Sequence, residues 1–236
     1  MKCIVFCSGK GGTGKSCAAA YTGVALAAAG KKTLLLELGG DAPSLELILG
    51  VKDCAHGIWD IFSGRCEVSD AIVKSENYPG LFLLPSKGGT PEQNEAKLQA
   101  LMKSLEHFDF VVVDGGGGAD FPVRLCSVFV IVTTPDTLSV RACAQAAQRL
   151  REANAKEVRL LINNVPPRII PINGAEDFDD VIDIVGARLI GIIPSSPKLA
   201  FCSNNEQPLD PESLTVKIFE NLAARLMGQR RLLLIR

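Results

Sequence analysis

Net charge, histidine and long apolar runs are all scarce in this 236-residue chain, and each scarcity disfavours a class of protein. The formal net charge of −1 supplies no overall positive charge for a nucleic acid, so DNA binding is disfavoured. The only two histidines, His56 and His107, are too far apart in sequence to indicate a shared site. The longest apolar stretches are far shorter than the ~20 residues that a membrane-spanning helix needs.

Paired cysteines are also missing, because none of the eight cysteines belongs to a C-x-x-C pair. This disfavours a zinc ribbon or a redox motif. Cys3 and Cys7 lie inside an apolar run, where a free thiol behaves as a small hydrophobic side chain. We expect reduced thiols, with a metal or cluster site as the alternative.

No signal peptide precedes the first predicted strand, so we expect a cytoplasmic protein.

Short apolar runs alternate with helical patterns along the whole chain. The predicted strands span residues 3–6, 32–38, 81–85, 110–114, 128–134, 158–163 and 188–194. Most lack period-two alternation, which is typical of parallel strands covered on both faces. The predicted helices span residues 15–30, 91–108, 137–153 and 211–228. The alternation predicts one α/β domain over residues 1–236, a doubly wound and mostly parallel sheet with helices on both faces, ending in a short tail at 229–236.

A glycine-rich segment after the first strand fits the G-x-x-x-x-G-K-[ST] pattern of a phosphate-binding loop. Its residues are Gly9, Lys10, Gly11, Gly12, Thr13, Gly14, Lys15 and Ser16. Such glycines let backbone N–H groups surround a β-phosphate at the N-terminus of a helix. Lys15 would reach the β- and γ-phosphates, and the Ser16 hydroxyl would occupy one ligand position on Mg²⁺. The apolar strand before the loop and the alanine-rich helix after it support a P-loop NTPase fold.

Lys10 is a second lysine that an ordinary phosphate loop does not need. The stretch KGGTGKS resembles the deviant Walker A loop of the MinD/ParA family of P-loop ATPases, which has the signature KGGxGK[ST]. In that family the extra lysine reaches across a dimer interface to the phosphates held by the other subunit. The resemblance therefore implies an ATP-dependent homodimer that binds ATP and Mg²⁺, with Lys10 and Lys15 as catalytic residues.

Further segments resemble the MinD-like branch of this family. FDFVVVDGGGGAD resembles its Walker B and switch II segment, which implies that Asp114 has a catalytic role and helps to hold the Mg²⁺ shell. LLINN resembles the strand that ends in a base-contacting asparagine, which we assign to Asn163 with Asn164 as the alternative. The resemblance also implies nucleotide contacts from Cys17, directly after the loop, and from Pro194, at the end of RLIGIIP.

The segment LLLELGGDAPSLELILG departs from the family pattern. The family has D-x-D at this strand end, whereas this chain has Glu37 and Gly39. Glu37 can still meet a hydrated Mg²⁺ as a metal ligand, but Gly39 has no side chain to orient the attacking water. Asp41 is a candidate catalytic replacement if the loop is remodelled. Loss of one positioning group typically costs ~10²-fold in rate, so we predict slow hydrolysis, or hydrolysis that depends on Asp41 or a partner.

The function implied by the resemblance is an ATP switch that positions an unidentified protein partner, such as division, flagellar or pilus machinery. The family's S-x-R-D segment reads Ser139 to Ala142 here, so partner identity is not inherited. The tail LMGQRRLLLIR leaves two interpretations open, peripheral contact with the inner face of the membrane or a tail that is frayed or packed on the domain. The alternative functions are an ATPase for metallocentre or cofactor maturation and a nucleotide-binding scaffold without turnover.

Overall fold

An eight-stranded sheet forms the centre of the computed structural model, which describes residues 1–38, 44–52, 54–87, 94–115, 121–166 and 178–234. The strands are β1 (Lys2–Cys7), β2 (Thr33–Glu37), β3 (Val73–Lys74), β4 (Leu81–Leu84), β5 (Phe110–Asp114), β6 (Val128–Thr133), β7 (Val158–Val165) and β8 (Arg188–Pro194). The helices are α1 (Lys15–Ala28), α2 (Ser44–Leu49), α3 (Ile58–Phe62), α4 (Val68–Ala71), α5 (Glu95–Ser104), α6 (Thr137–Glu152), α7 (Phe178–Val185), α8 (Pro197–Asn204) and α9 (Leu214–Leu226). A short 3-10 helix spans Val123–Leu125.

The strand order across the sheet is β3-β4-β2-β5-β1-β6-β7-β8. Every neighbouring pair is parallel except β3 and β4. This confirms the predicted doubly wound, mostly parallel sheet. The two-residue strand β3 is the one strand among the described residues that the sequence patterns did not predict.

Both faces of the sheet are covered, which explains why its strands read as continuous apolar runs. Successive residues of β1 contribute to different clusters, Ile4 and Phe6 to one and Val5 and Cys7 to the other. The Ile4 cluster takes buried side chains from α1, α2, α8 and α9. The Val5 cluster takes them from α3, α5, α6 and α7. Parallel strands between two helical layers have this double burial.

The order of the strands reverses direction at β1, which has β5 on one side and β6 on the other. From β1 the chain passes to β2 on the β5 side, and from β5 it crosses to β6 on the opposite side. In open α/β sheets, ligands bind at the carboxyl ends of the strands next to such a switch point. Glu37 and Asp114 are register partners at this edge, and the loop after Cys7 starts there.

The described part of the C-terminal tail, residues 229–234, folds back along α9. The Asn221 side chain donates a hydrogen bond to the Leu232 carbonyl (2.9 Å), and the Arg225 guanidinium donates one to the Arg231 carbonyl (2.6 Å). Leu232 nevertheless keeps 89% of its surface exposed. Within the described ranges, no helix combines the length and apolar character needed to span a bilayer.

Candidate functional site

The loop between β1 and α1 is a turn that glycine makes possible. Gly12 and Gly14 adopt left-handed backbone angles, with φ of 80° and 81°. Glycine reaches this region without the steric cost that other residues meet. The Ser8 hydroxyl donates to the Lys10 carbonyl at 2.8 Å inside the loop. Helix α1 then begins at Lys15, with Gly14 as an N-cap that has no side chain to cap it.

Two loop glycines also lie against neighbouring strands and helices. A Cβ atom on Gly9 would lie 2.1 Å from the carbonyl oxygen of Ala142 in α6, and one on Gly14 would lie 2.2 Å from Asn163 Nδ2. The Asn163 amide donates to the Thr13 carbonyl at 2.8 Å. The loop is therefore held between α6 and the end of β7. The first N–H groups of a helix have no partner within the helix, so we expect those of α1 to be available to an anion at the loop.

A buried ion pair links the start of α1 to the end of β5. Lys15 Nζ lies 2.6 Å from Asp114 Oδ1, and the two side chains are 13% and 1% exposed. The second carboxylate oxygen, Asp114 Oδ2, is buried and has no hydrogen-bond partner among the described residues. The same holds for the hydroxyl of Thr13 in the loop. Buried polar atoms without protein partners are uncommon in folded proteins and are typical of positions where an ion, water or ligand binds.

These observations fit a nucleotide phosphate and a divalent cation. The loop supplies uncapped N–H groups and an ammonium for phosphate oxygens, and Asp114 Oδ2 supplies a free carboxylate oxygen at the same edge. Carboxylate and hydroxyl oxygens are the ligands that Mg²⁺ prefers. Ser16 follows Lys15 in the first turn of α1, so it lies at the end of the helix that adjoins the phosphate loop.

Glu37 is fully buried at the end of β2, beside Asp114. Its Oε1 accepts hydrogen bonds from the backbone N–H of Ser44 (2.8 Å), the Ser44 hydroxyl (2.8 Å) and the N–H of Leu45 (3.2 Å). Its Oε2 accepts one from the N–H of Ser86 at 3.3 Å. Glu37 therefore fastens the start of α2 and the segment after β4 to the sheet. The assignment of Glu37 as a metal ligand stays a prediction.

Lys10 lies near a different carboxylate from the one that Lys15 contacts. Its Nζ lies 3.9 Å from Asp136 Oδ1, and both side chains are about half exposed, at 49% and 50%. Asp136 is the N-cap of α6 and accepts a hydrogen bond from the N–H of Ser139. Burial raises the pKa of the Asp136 carboxyl, but hydrogen bonds from Thr134 and Ser139, together with Lys10, outweigh it and lower the pKa to about 2.

Two of the remaining predicted residues, Asn164 and Pro194, lie at the same edge of the sheet, near the ends of β7 and β8. Asn164 is exposed, has a φ of 56° and sits at an irregularity between β7 and β8. Pro194 ends β8 and pairs in register with Val165. The Cys17 thiol lies on α1 at 3.5 Å from the Ser203 hydroxyl, and burial raises its pKa. Gly39 and Asp41 lie outside the described residues.

Sequence reasoning missed Asp136 as the residue that faces Lys10. The signal was present, because an aspartate directly before a helical pattern is a typical N-cap. It also missed Ala142, whose carbonyl lies against Gly9. No local pattern would have revealed that contact, since it joins residues that are distant in sequence.

A doubly wound sheet with a glycine loop at its switch point defines a P-loop nucleotide-binding protein. Residues 4–209 match the family model described as the CobQ/CobB/MinD/ParA nucleotide-binding domain. The septum site-determining protein MinD of Synechocystis sp. is 31% identical over 237 residues, covering 96% of this chain and 89% of that protein. The chain belongs to the CobQ/CobB/MinD/ParA nucleotide-binding family, in its MinD-like branch.

Solved structures agree with this placement. The MinC:MinD cell division protein complex of Aquifex aeolicus contains a chain that superposes with a TM-score of 0.88 at 30% identity, covering 100% of this chain and 99% of that one. The septum site-determining protein MinD of Pyrococcus horikoshii, solved with Mg-ADP, shares the fold with a TM-score of 0.82 at 24% identity, covering 95% of each chain. The family that the phosphate loop indicated is therefore confirmed.

Proposed function

We propose that this protein is an ATP-dependent dimerising switch that positions a partner in the cell-division machinery. The observation that carries the proposal is the separation of the two loop lysines. Lys15 is buried against Asp114, whereas Lys10 is half exposed and lies near Asp136. One lysine thus serves the phosphates of its own loop, and the other is free to serve those of a second copy.

ATP and Mg²⁺ are the ligands that this arrangement favours. Lys15 would exchange the Asp114 carboxylate for phosphate oxygens, and the loop N–H groups would bind the β-phosphate. Mg²⁺ supplies charge neutralisation on the phosphates when it is bound. Ser16 and Asp114 are the residues that we expect to hold it, with Glu37 as a further candidate. The Asn163 amide is suited to an adenine edge, because it offers one donor and one acceptor.

Dimerisation would depend on Lys10 because two facing nucleotides bring a large negative charge to the interface. In one chain, and among the described residues, the Lys10 ammonium has a weak, solvent-screened pair with Asp136. Transfer of this ammonium to the phosphates of a second copy therefore loses little. The nucleotide then favours the dimer by its differential contacts with the two states.

Hydrolysis is proposed to be slow without help. Gly39 has no side chain to position the attacking water, and the Glu37 carboxylate is occupied by four hydrogen bonds within the fold. Asp41 or a partner residue would have to supply the missing group. Phosphate release from the purified chain tests this, since brisk turnover without a partner contradicts it. If no turnover occurs even with a partner, the protein is a nucleotide-binding scaffold.

A MinC-like protein is the first partner to test, since the similar Aquifex aeolicus structure is a MinC:MinD complex. Ala142 stands where the family pattern has an aspartate, so the contact surface differs in at least one charge.

Peripheral membrane contact through the tail is also part of the proposal, because Arg230, Arg231 and Leu232 are exposed there. Vesicle co-sedimentation of the full chain and of a chain ending at Gly228, each with ATP and Mg²⁺, tests this contact.

The central test is sedimentation velocity with and without ATP·Mg²⁺. We expect a shift from monomer to dimer in the natural sequence. Lys10→Ala should remain monomeric while its affinity for ATP changes little, because Lys15 and the loop are intact. Lys52→Ala is the matched control, since Lys52 is 77% exposed and lies in a comparably weak pair with Glu206. Dimerisation of Lys10→Ala to the same extent as the control contradicts the proposal.

A further inference from the structure

A second cleft, of about 480 Å³, opens at the edge of the sheet opposite the phosphate loop. It is lined by residues from the starts of strands, such as Lys2 of β1, Val128 of β6 and Arg188 of β8. The end of α9 and the first residues of the tail form its other wall. Because these strands are parallel and β1 is six residues long, the cleft lies roughly 20 Å from the phosphate loop.

This cleft, which we call the basic cleft, concentrates positive charge in a chain whose net charge is −1. Among the described residues, one carboxylate, Glu157, lines it and forms an ion pair with Arg159. Within the described ranges, neither Arg188 nor Arg225 forms an ion pair with a carboxylate. The cationic residues that line the cleft are Lys2, Arg159, Arg188, Arg225, Arg230 and Arg231.

The surroundings of Arg225, one of the cations of the basic cleft, disfavour the charged form of its guanidinium. Its Nη1 donates to the Arg231 carbonyl at 2.6 Å, and its Nη2 donates to the Leu189 carbonyl at 3.2 Å. Its Nε is buried and has no partner in the described part of the chain. Burial lowers the pKa of the Arg225 guanidinium, and the charges of Arg159 and Arg188 lower it further. Carbonyl oxygens orient a guanidinium but do not neutralise it, so a bound anion would relieve this repulsion.

We propose that the basic cleft binds a phosphate-bearing anion. Guanidinium groups match phosphate oxygens with two parallel hydrogen bonds, and this cleft offers several of them around one space. Its volume lies within the ~300–1,000 Å³ of ordinary small-molecule sites, so it holds more than a lone ion. The phosphate belongs either to a free solute or to the headgroup of an anionic lipid. The proposal does not depend on Lys10, Lys15 or the phosphate loop.

Pyrophosphate is the soluble probe. The full chain is first saturated with ADP·Mg²⁺, so that the phosphate loop is occupied, and pyrophosphate uptake is then followed by isothermal titration calorimetry. Arg188→Glu should weaken this uptake by at least about tenfold, because it removes a charged hydrogen bond and adds a repelling carboxylate. The matched control is Arg149→Glu, which makes the same charge change at an exposed position in the last turn of α6.

Vesicles distinguish the two sources of phosphate. Binding to phosphatidylglycerol vesicles is compared with binding to phosphatidylcholine vesicles, for the same three proteins. If Arg188→Glu weakens binding to phosphatidylglycerol vesicles as well as pyrophosphate uptake, the source is a lipid headgroup. If it weakens pyrophosphate uptake alone, the source is a free solute. Arg188→Gln and thermal unfolding of every variant separate a binding defect from a folding defect.

Equal effects of Arg188→Glu and Arg149→Glu on both ligands overturn the proposal. So does a natural sequence that takes up no pyrophosphate and binds both vesicle types equally. A further expectation is that binding weakens steeply between low and high salt, because several charges are screened together.

Discussion

The buried ion pair between Lys15 and Asp114 competes with a nucleotide for the Lys15 ammonium. Removal of the Asp114 charge should therefore change the affinity for nucleotide, in a direction that depends on whether Mg²⁺ is present. The two charged atoms lie 2.6 Å apart, and a bound polyphosphate requires the same ammonium. Part of this pair must therefore be given up on binding. We predict that Asp114→Asn, which keeps the shape of the side chain and removes its charge, raises the affinity for ADP in the absence of Mg²⁺.

The magnitude follows from the strength of the bond that is weakened. A hydrogen bond to a charged group contributes about 1.5–3 kcal/mol. The asparagine oxygen still accepts from the Lys15 ammonium, but only one of the two partners is then charged, so we expect the bond to weaken by about 1–1.5 kcal/mol and the variant to save that amount on binding. Since 1.4 kcal/mol corresponds to tenfold, the affinity for Mg²⁺-free ADP should rise roughly tenfold. With Mg²⁺ the change should reverse, because the carboxylate that helps to hold the ion is lost.

Isothermal titration calorimetry with ADP, once in EDTA and once in Mg²⁺, measures both changes. Asp183→Asn is the matched control, because Asp183 is exposed on α7 and far along the chain from the loop. The reasoning is refuted if Asp114→Asn lowers the affinity by the same factor in both buffers. That outcome would mean that Asp114 only maintains the shape of the loop.

Three further predictions concern stability. Gly14→Ala should cost about 2 kcal/mol in urea unfolding and abolish nucleotide binding, since φ is +81° and the new Cβ meets Asn163 at 2.2 Å. Gly30→Ala, with φ of +77° and no described atom within 4 Å of the new Cβ, should cost about half as much. Glu37→Ala should cost at least about 3 kcal/mol, because four donors lose their acceptor, and a loss below 1 kcal/mol would show that Glu37 does not fasten the fold. Asp136→Ala should cost about 1 kcal/mol at pH 7, a value discounted because the side chain is half exposed. The folded-state pKa of about 2 lies below that of an unfolded aspartate, so this difference is complete above about pH 4 and disappears as the pH falls towards 2.

Strands and the phosphate loop were predictable because their signals are local. The apolar run at 110–114 became β5 with the same bounds, and the pattern at 137–153 became α6 over Thr137–Glu152. Periodicity alone does not distinguish a short apolar run from a buried helix, but the shortness of the run and its β-branched residues identify a strand. The helix pattern at 91–108 was less accurate, since α5 spans only Glu95–Ser104 and Asn94 caps it.

Contacts within the site were harder to predict because they join distant segments. The hydrogen bonds of Glu37 come from Ser44, Leu45 and Ser86, and no sequence pattern links Glu37 to Ser86. The position of the C-terminal tail was also hard to predict, since its basic and apolar residues were compatible with contact to a membrane and with packing on the domain. In the structure, side chains of α9 donate hydrogen bonds to backbone carbonyls of the tail. The amino-acid composition of the tail gives no indication of these bonds.

The most direct test of the central claim is complementation between two variants that each lack one loop lysine. Lys10→Ala keeps Lys15 to bind ATP but cannot reach a second copy. Lys15→Gln cannot hold ATP firmly but still presents Lys10. The account predicts that each variant alone stays monomeric with ATP·Mg²⁺, and that an equal mixture forms dimers containing one chain of each. Either a mixture that remains monomeric while the natural sequence dimerises, or dimers of Lys10→Ala alone, would contradict it.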